Sequence, residues 1–330
     1  MKNNTLSVIM PNYNHAHYIS GAIEAILSQS FRPLEVIVID DGSIDDSVSV
    51  IEQYARRDPI VHLLRNECNR GVVHAANRGL KHAAGDYIYF TAADDKVLPG
   101  FFEKSMELLT EYPQAGLCCS DYFYLEEPKG IFREKKFHLS SKPHFFPPAE
   151  MVKLMRKRYF PIGGVTIVMK RSALLEVGGF DQELGWQCDW FVDFTVGFRY
   201  GMCYLPETLA TARLHPNANS LLQNKPSSVQ LNNLKHMLHV LKSKEFCDVL
   251  PSFQRTAILS RFKFQVLIKL LLSENQYRDF LTPLLVRRVL WLKALTALNP
   301  VTPLFVKDIY NRIYYRHYLK HQKIMHYENS

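Results

Sequence analysis

Between residues 6 and about 125, short apolar, β-branched runs alternate with segments of helical spacing. No other feature constrains the fold as much. The runs at 6–10, 35–39, 60–64, 86–90 and 115–124 have strand character. Those at 17–28, 48–55, 72–84 and 101–111 space their apolar residues as helices do, for example Tyr18, Ile19, Ala22, Ile23, Ile26 and Leu27. Strand, helix, strand with short links predicts parallel strands, because only a crossover returns the chain to the same edge. Helices then cover both faces, and the strands read as continuous apolar runs. The expected fold class is α/β, a Rossmann-like, mostly parallel sheet flanked by helices.

In such sheets ligands sit beyond the carboxyl ends of the strands. Three of those ends carry unusual polar chemistry: Pro11-Asn12-Tyr13-Asn14, Asp40-Asp41-Gly42-Ser43 and Asp94-Asp95. Asp94 and Asp95 follow the strand-like run Tyr87-Ile88-Tyr89-Phe90. Two adjacent carboxylates repel each other, so a bound cation, a set of hydrogen-bond donors or open solvent must accommodate them. A dinucleotide is a poor fit, because no glycine follows the first strand until Gly21 and no G-x-x-x-x-G-K-[ST] loop occurs. Without a glycine cradle, a diphosphate at this edge needs a metal to neutralise it.

Several stretches, in order, resemble the inverting glycosyltransferases of family 2, which have the GT-A fold. They are "LSVIMPNYNHAHYISGAIEAILSQSF", "LEVIVIDDGSIDDS", "NRGVVHAANRGLKHAAGDYIYFTAADD", "VGGFDQELGWQCDWFVDFTVGFRYG" and "ARLHPNANS". The likeness spans about residues 6–220. It implies a GT-A catalytic domain over 1–220, with a nucleotide-sugar half to about 125 and an acceptor half over 126–220. Residues 221–330 are expected to form a basic helical C-terminal region.

Carried over by position, the resemblance implies that Pro11 and Tyr13 line a nucleotide base pocket. Asp41, with Asp40 beside it, is expected to bind base or ribose, and Asn77 to sit over the donor. Asp94 matches the metal-binding acid for Mn2+ or Mg2+, with Asp95 beside it among the donor-binding residues. Asp189 matches the catalytic base, Trp190 the aromatic next to it, and His215 a histidine that closes the metal or phosphate site. Asp193 and Asp181 compete with Asp189 for the role of base. Two positions depart from the family pattern: Ala92 replaces the first acid of D-x-D-D, and Cys188 replaces the common Glu before the base. The Q-x-x-R-W pattern of processive relatives is absent, which implies one sugar per encounter.

The implied reaction moves one sugar from a nucleotide-sugar, UDP-sugar by default, to a hydroxyl of a glycan or lipid-linked glycan in cell-surface polysaccharide biosynthesis. Two rivals stay open: a nucleotide-sugar-binding protein without turnover, and a transferase whose acceptor is a polyprenyl phosphate.

Charge divides the chain. Residues 220–330 hold 17 Lys and Arg against 6 Asp and Glu, whereas 1–219 is weakly acidic, within a total of +8. An apolar stripe of Ile258, Leu259, Phe262, Val266, Leu267, Leu270 and Leu271 predicts a helical region packed on the catalytic domain. Basic and aromatic residues mix in "IYNRIYYRHYLKHQK". Docking on an anionic membrane surface is the sharper reading of that mixture, and no recognisable nucleic-acid module accompanies it. The apolar segment 289–306 is broken by Lys293, Asn299, Pro300 and Pro303, and the first apolar run is too short for a signal peptide. A cytoplasmic protein is expected, peripheral to the membrane if the tail docks. The six cysteines form no C-x-x-C pair, so they are expected to be reduced, mostly buried thiols.

Overall fold

The computed structural model describes residues 4–160, 162–214, 227–261, 264–298 and 324–326. The alternation resolves into β1 (Leu6–Asn12), α1 (Ala16–Leu27), β2 (Glu35–Asp40), α2 (Ser47–Arg57), β3 (Val61–Arg65), α3 (Val72–His82) and β4 (Tyr87–Phe90). These four strands are parallel, in the order β3-β2-β1-β4. β1 pairs with β2 from Ser7 opposite Glu35 to Asn12 opposite Asp40, so both strands end together.

Successive side chains of a strand point to opposite faces, and β1 divides accordingly. Leu6, Val8 and Met10 join Val36 and Val38 against Ile19, Ile23 and Ile26 of α1. Ile9, with Ile37 and Ile39, faces Ala75 and Leu80 of α3. α3 lies close to the sheet at Gly79, where a Cβ would overlap Ile9 and come within 2.8 Å of Ile39 Cδ1.

The second half departs from the parallel pattern. β5 (Lys96–Val97) and α4 (Phe101–Glu111) lead to β6 (Leu117–Glu126), then β7 (Ile131–Lys135), β8 (His144–Phe146), α5 (Pro148–Lys157) and β9 (Val168–Lys170). β9 inserts between β4 and β6, antiparallel to both. α6 (Arg171–Glu176) and α7 (Cys188–Tyr200) precede β10 (Met202–Leu214), which runs parallel to β6 with irregular register between Leu205 and Thr211. β11 (Ile324–His326) pairs with β7 at the sheet's end.

The C-terminal helices α8 (Ser227–Leu241), α9 (Leu250–Thr256), α10 (Phe264–Ser273) and α11 (Pro283–Leu298) share one apolar cluster with α5 and α7. Leu234, Met237, Phe253, Leu267 and Leu270 are buried with Met155, Trp190 and Phe194. Of the expected stripe, Ile258, Leu259, Leu267, Leu270 and Leu271 are buried, Val266 packs beside them, and Phe262 lies outside the described residues. Arg288 fastens the joint: its buried guanidinium donates to the carbonyls of Met155, Arg156 and Thr256, at the C-terminal ends of α5 and α9. A cation there satisfies orphan carbonyls and opposes the negative helix ends. None of the described helices is long and apolar enough to cross a membrane. All six cysteines are free, and four are buried.

Candidate active site

At the carboxyl ends of β1 and β2 the polar residues solve one another's hydrogen bonds. Asn12 Nδ2 donates to Asp40 Oδ1 at 2.9 Å and Ser43 Oγ at 3.2 Å. The Ser43 amide donates to Asp40 Oδ2 at 3.1 Å. Asp40 is thus a buried brace of the turn. Asp41, also buried, accepts from Asn66 Nδ2 at 2.6 Å and from the backbone amides of Arg70 and Gly71. A carboxylate receiving three donors ties residues 66–71 to the end of β2. Gly42 allows this approach, since it holds φ +76° and a Cβ there would meet Cys68 Cα at 2.7 Å. Pro11 is half-buried beside this brace, and Tyr13 projects from it with 40% of its surface exposed.

The third strand end is the acidic turn. Asp94 is buried and Ala92 exposed, so the first position of the family's acid motif contributes only a surface methyl. Asp95 is partly buried and accepts the Arg213 amide at 2.8 Å. Burial first, then the charge of Asp94, holds its carboxyl above the usual carboxylate range, while Arg213 draws it back down. Arg213 continues the network. Its Nε donates to the Asp94 carbonyl at 3.0 Å, its Nη1 pairs with Glu127 at 2.7 Å, and its guanidinium lies 4.8 Å from the ring centre of Tyr18. The Tyr18 hydroxyl donates to the other Glu127 oxygen at 2.7 Å. Neither Arg213, Glu127 nor Tyr18 is singled out as a site residue by sequence reading. The available signal was Arg213 itself, a cation two residues before the matched histidine at the end of a strand.

Asp189, expected on the acceptor side, stands exposed in the first turn of α7, its Oδ1 accepting the Trp190 amide at 2.6 Å. A helix N-terminus favours the ionised carboxylate. The two competitors are placed differently: Asp193 is buried, and Asp181 accepts from the Glu183 amide and meets His236 at 2.6 Å. Cys188 is buried, which pushes its thiol up to about 12, with the Asp189 charge adding to the effect. Trp190 turns inward, packing on Phe194 and Phe253 at 5.3 and 6.0 Å. It is part of the core rather than of an open acceptor surface.

Two further contacts link residues of the two expected halves. The Tyr89 hydroxyl donates to the Val165 carbonyl at 2.9 Å in the 3₁₀ turn Gly164–Thr166, and a Cβ on Gly164 would lie 3.9 Å from Asp189 Oδ2. Tyr89 sits on the strand that runs into Asp94. The second contact is Asn77, whose Nδ2 donates to the Phe180 carbonyl at 2.6 Å while its Oδ1 accepts the Phe180 amide at 3.0 Å. The amide of Asn77 is therefore spent inside the fold, holding the 178–181 loop against α3. His215 lies outside the described residues, as does the expected domain boundary at 220.

Among the described residues, no three His, Cys, Asp or Glu side chains cluster closely enough to hold a metal by themselves. The acidic turn does fit a hard divalent ion that takes its remaining ligands from phosphate oxygens and water. Its donors are carboxylates, and a cation would relieve the repulsion that raises Asp95.

A half-parallel sheet with an antiparallel insert, an acidic turn after β4 and an exposed acid on α7 defines a GT-A glycosyltransferase fold. Residues 1–349 of S. aureus TarS, solved with UDP-GlcNAc, superpose with TM-score 0.62 at 17% identity, covering 86% of this chain and 81% of that one. The mannosyltransferase PcManGT of Pyrobaculum calidifontis, solved with GDP-Man and Mn2+, does so with TM-score 0.57 at 17% identity, covering 97% and 82%. The family model of glycosyl transferase family 2 matches residues 7–177, more than half of the sequence, and the chain belongs to that family.

Among curated relatives, the minor teichoic acid biosynthesis protein GgaB of Bacillus subtilis is 27% identical over 304 residues, covering 87% of this chain and 32% of its own. Glycosyltransferase GlyA of Streptococcus pneumoniae is 27% identical over 174 residues, covering 53% and 24%. The chain therefore spans about a quarter to a third of the length of these relatives.

Proposed function

We propose that the chain transfers a single sugar from a nucleotide-sugar, by default a UDP-sugar, to a hydroxyl of a glycan or lipid-linked glycan, with inversion. Asp189 accepts the proton of the acceptor hydroxyl as its oxygen bonds to the anomeric carbon. The bond from that carbon to the diphosphate oxygen breaks on the opposite face, and a nucleoside diphosphate leaves. Pro11, Tyr13, Asp41 and the 66–71 loop frame the nucleotide, Asp40 braces that frame from within, and Asn77, over the donor, holds the 178–181 loop against α3. Asp94 and His215 would hold Mn2+ or Mg2+, with Asp95 beside them among the donor-binding residues; the ion would neutralise the departing diphosphate.

The observation that carries the reading is the pairing of an exposed carboxylate at the start of α7 with a buried acidic turn, bridged by Tyr89 and the Gly164–Thr166 turn. TarS and PcManGT, solved with nucleotide-sugars, support the donor class, and GgaB supports a place in cell-surface polysaccharide assembly.

Asp189→Asn tests it. A general base contributes ~10²–10⁴ in rate, so the variant should lose turnover by about that factor and bind nucleotide as before. Unchanged turnover would point instead to an acceptor that is already anionic, such as a polyprenyl phosphate. A wild type without turnover would point to a nucleotide-sugar-binding protein.

The proposed location is cytoplasmic, with the basic C-terminal helices against an anionic membrane. α11 supports this by exposing Val286 and Leu290 beside Arg287 around an apolar groove of about 730 Å³. Flotation with anionic but not neutral vesicles at low salt is expected; a protein that stays unbound in both would refute the docking.

A further inference from the structure

Resting on the reading above, we infer that Arg213 is a positioning residue for the acidic turn, and that Glu127 keeps its guanidinium from competing with the cation bound there.

The geometry separates what Arg213 holds from where its charge goes. Two of its donors grip the turn: the backbone amide on Asp95 Oδ1 at 2.8 Å and Nε on the Asp94 carbonyl at 3.0 Å. Both fix the position of the turn, since one acts on a side chain and the other on the main chain between the two acids. The guanidinium's ion pair is directed away, to Glu127 Oε1 at 2.7 Å. The pair is partly buried, with 15% of the arginine and 30% of the glutamate side chain exposed, so solvent screens it incompletely. The Tyr18 ring covers one face of the guanidinium and its hydroxyl fixes the second Glu127 oxygen. Hydrogen bonding to Glu127, followed by burial, raises the Tyr18 hydroxyl above its ordinary range, so this donor stays protonated.

A guanidinium aimed at the two acids would have to be displaced before a divalent ion could bind. Held by Glu127, it can brace the turn while leaving the local charge negative. Arg213 lies at the end of β10, Glu127 after β6 and Tyr18 on α1, so the brace draws on three elements outside the strand that carries the acids.

The test is nucleotide binding by calorimetry, in Mn2+ and in EDTA, for wild type, Arg213→Ala, Arg213→Lys and Glu127→Gln. UDP, GDP, dTDP and CMP serve as probes. In wild type one nucleotide should bind more tightly with Mn2+. Arg213→Ala keeps the backbone bond to Asp95 but loses the charge-assisted Nε bond to the Asp94 carbonyl; it should cut that Mn2+-dependent gain about tenfold and leave binding in EDTA unchanged. Arg213→Lys should keep part of the gain. Glu127→Gln should also reduce it, although Glu127 is not a ligand, because the freed charge turns toward the acids.

A full Mn2+ gain in Arg213→Ala overturns the inference and leaves the proposed function standing. An unchanged or larger gain in Glu127→Gln overturns the charge-diverting role. No Mn2+ gain in wild type with any probe defeats the metal-dependent function itself, and this inference with it. If Arg213→Ala fails to fold, Arg213→Lys and Glu127→Gln decide the matter on the same readout.

Discussion

The proposed donor edge and the proposed acceptor side of this molecule are built by opposite means. At the donor edge the polar side chains are buried or partly buried and hold one another or nearby backbone, Asn12 to Asp40, Asp41 to 66–71, Asp95 to the Arg213 amide. On the proposed acceptor side Asp189, the acid assigned as base, stands in the open, and its place is fixed from behind by apolar packing. Trp190, the residue after Asp189, is wedged between Phe194 and Phe253, and Phe253 belongs to the C-terminal helices. A rigid polar frame suits a ligand with fixed features such as a nucleotide. A side built on apolar backing leaves the surface around Asp189 free to differ between the acceptors proposed for it.

If that contrast holds, the largest stability loss should come from the acceptor side's packing. Trp190→Ala should cost ~3–5 kcal/mol and loosen the C-terminal helices together with α7, since both share the cavity it leaves. Urea unfolding followed by hydrogen exchange would show whether both regions are affected; an effect confined to α7 would break the comparison.

Next comes Asp121 in β6, buried and bonded by the Tyr204 hydroxyl and the Phe137 amide at 2.8 and 2.9 Å. Burial raises its carboxyl to about 7 from 3.8. A carboxyl raised on folding binds its proton more tightly in the native state, so stability should fall as pH rises from about 4 to about 7. Asp121→Asn should abolish that decline and stabilise the protein at pH 8 by a few kcal/mol, in order of magnitude. Unfolding midpoints at pH 5 and 8 read both effects.

Asp41→Ala sharpens the other side of the comparison. It removes the acceptor of Asn66 Nδ2 and of the Arg70 amide, while the Gly71 amide keeps Asn69 Oδ1 at 2.9 Å, so a loss of ~1–3 kcal/mol is expected, with faster exchange confined to 66–71. Two glycines compare the two sides directly, and one of them carries the smallest effect. Gly79→Ala should cost ~1–3 kcal/mol, because the added methyl must displace Ile9 and Ile39. Gly164→Ala meets Asp189 Oδ2 at an ordinary 3.9 Å and should change stability by no more than ~0.5 kcal/mol. Equal costs at both positions would contradict an open acceptor side.

The same contrast explains what could be read in the sequence. The donor edge was legible because its signals are local: buried parallel strands are unbroken apolar runs, and the polar residues that end them stand out against that background. The acid on α7 was reached through a motif resemblance, and its exposure, against the burial of Asp193, needed the fold. β9 was missed because three residues carry no readable period, and its antiparallel insertion depends on partners 50 to 83 residues away. The same holds for the Arg213–Glu127 pair, 86 residues apart, and for Asn77, whose two bonds end at Phe180, 103 residues on. Pairings of that range leave no trace in local pattern.

The central claim is that the acidic turn works on a nucleotide's diphosphate through a divalent ion. The most direct measurement is thermal unfolding with UDP, GDP, dTDP and CMP, each with and without Mn2+, for wild type and Asp94→Asn. A ligand at ~100 times its Kd adds about 2.7 kcal/mol, enough for a shift of several degrees. One nucleotide should stabilise wild type more when Mn2+ is present, and Asp94→Asn should lose that added shift. A shift that is the same with and without metal, or an added shift that survives in Asp94→Asn, would contradict the account.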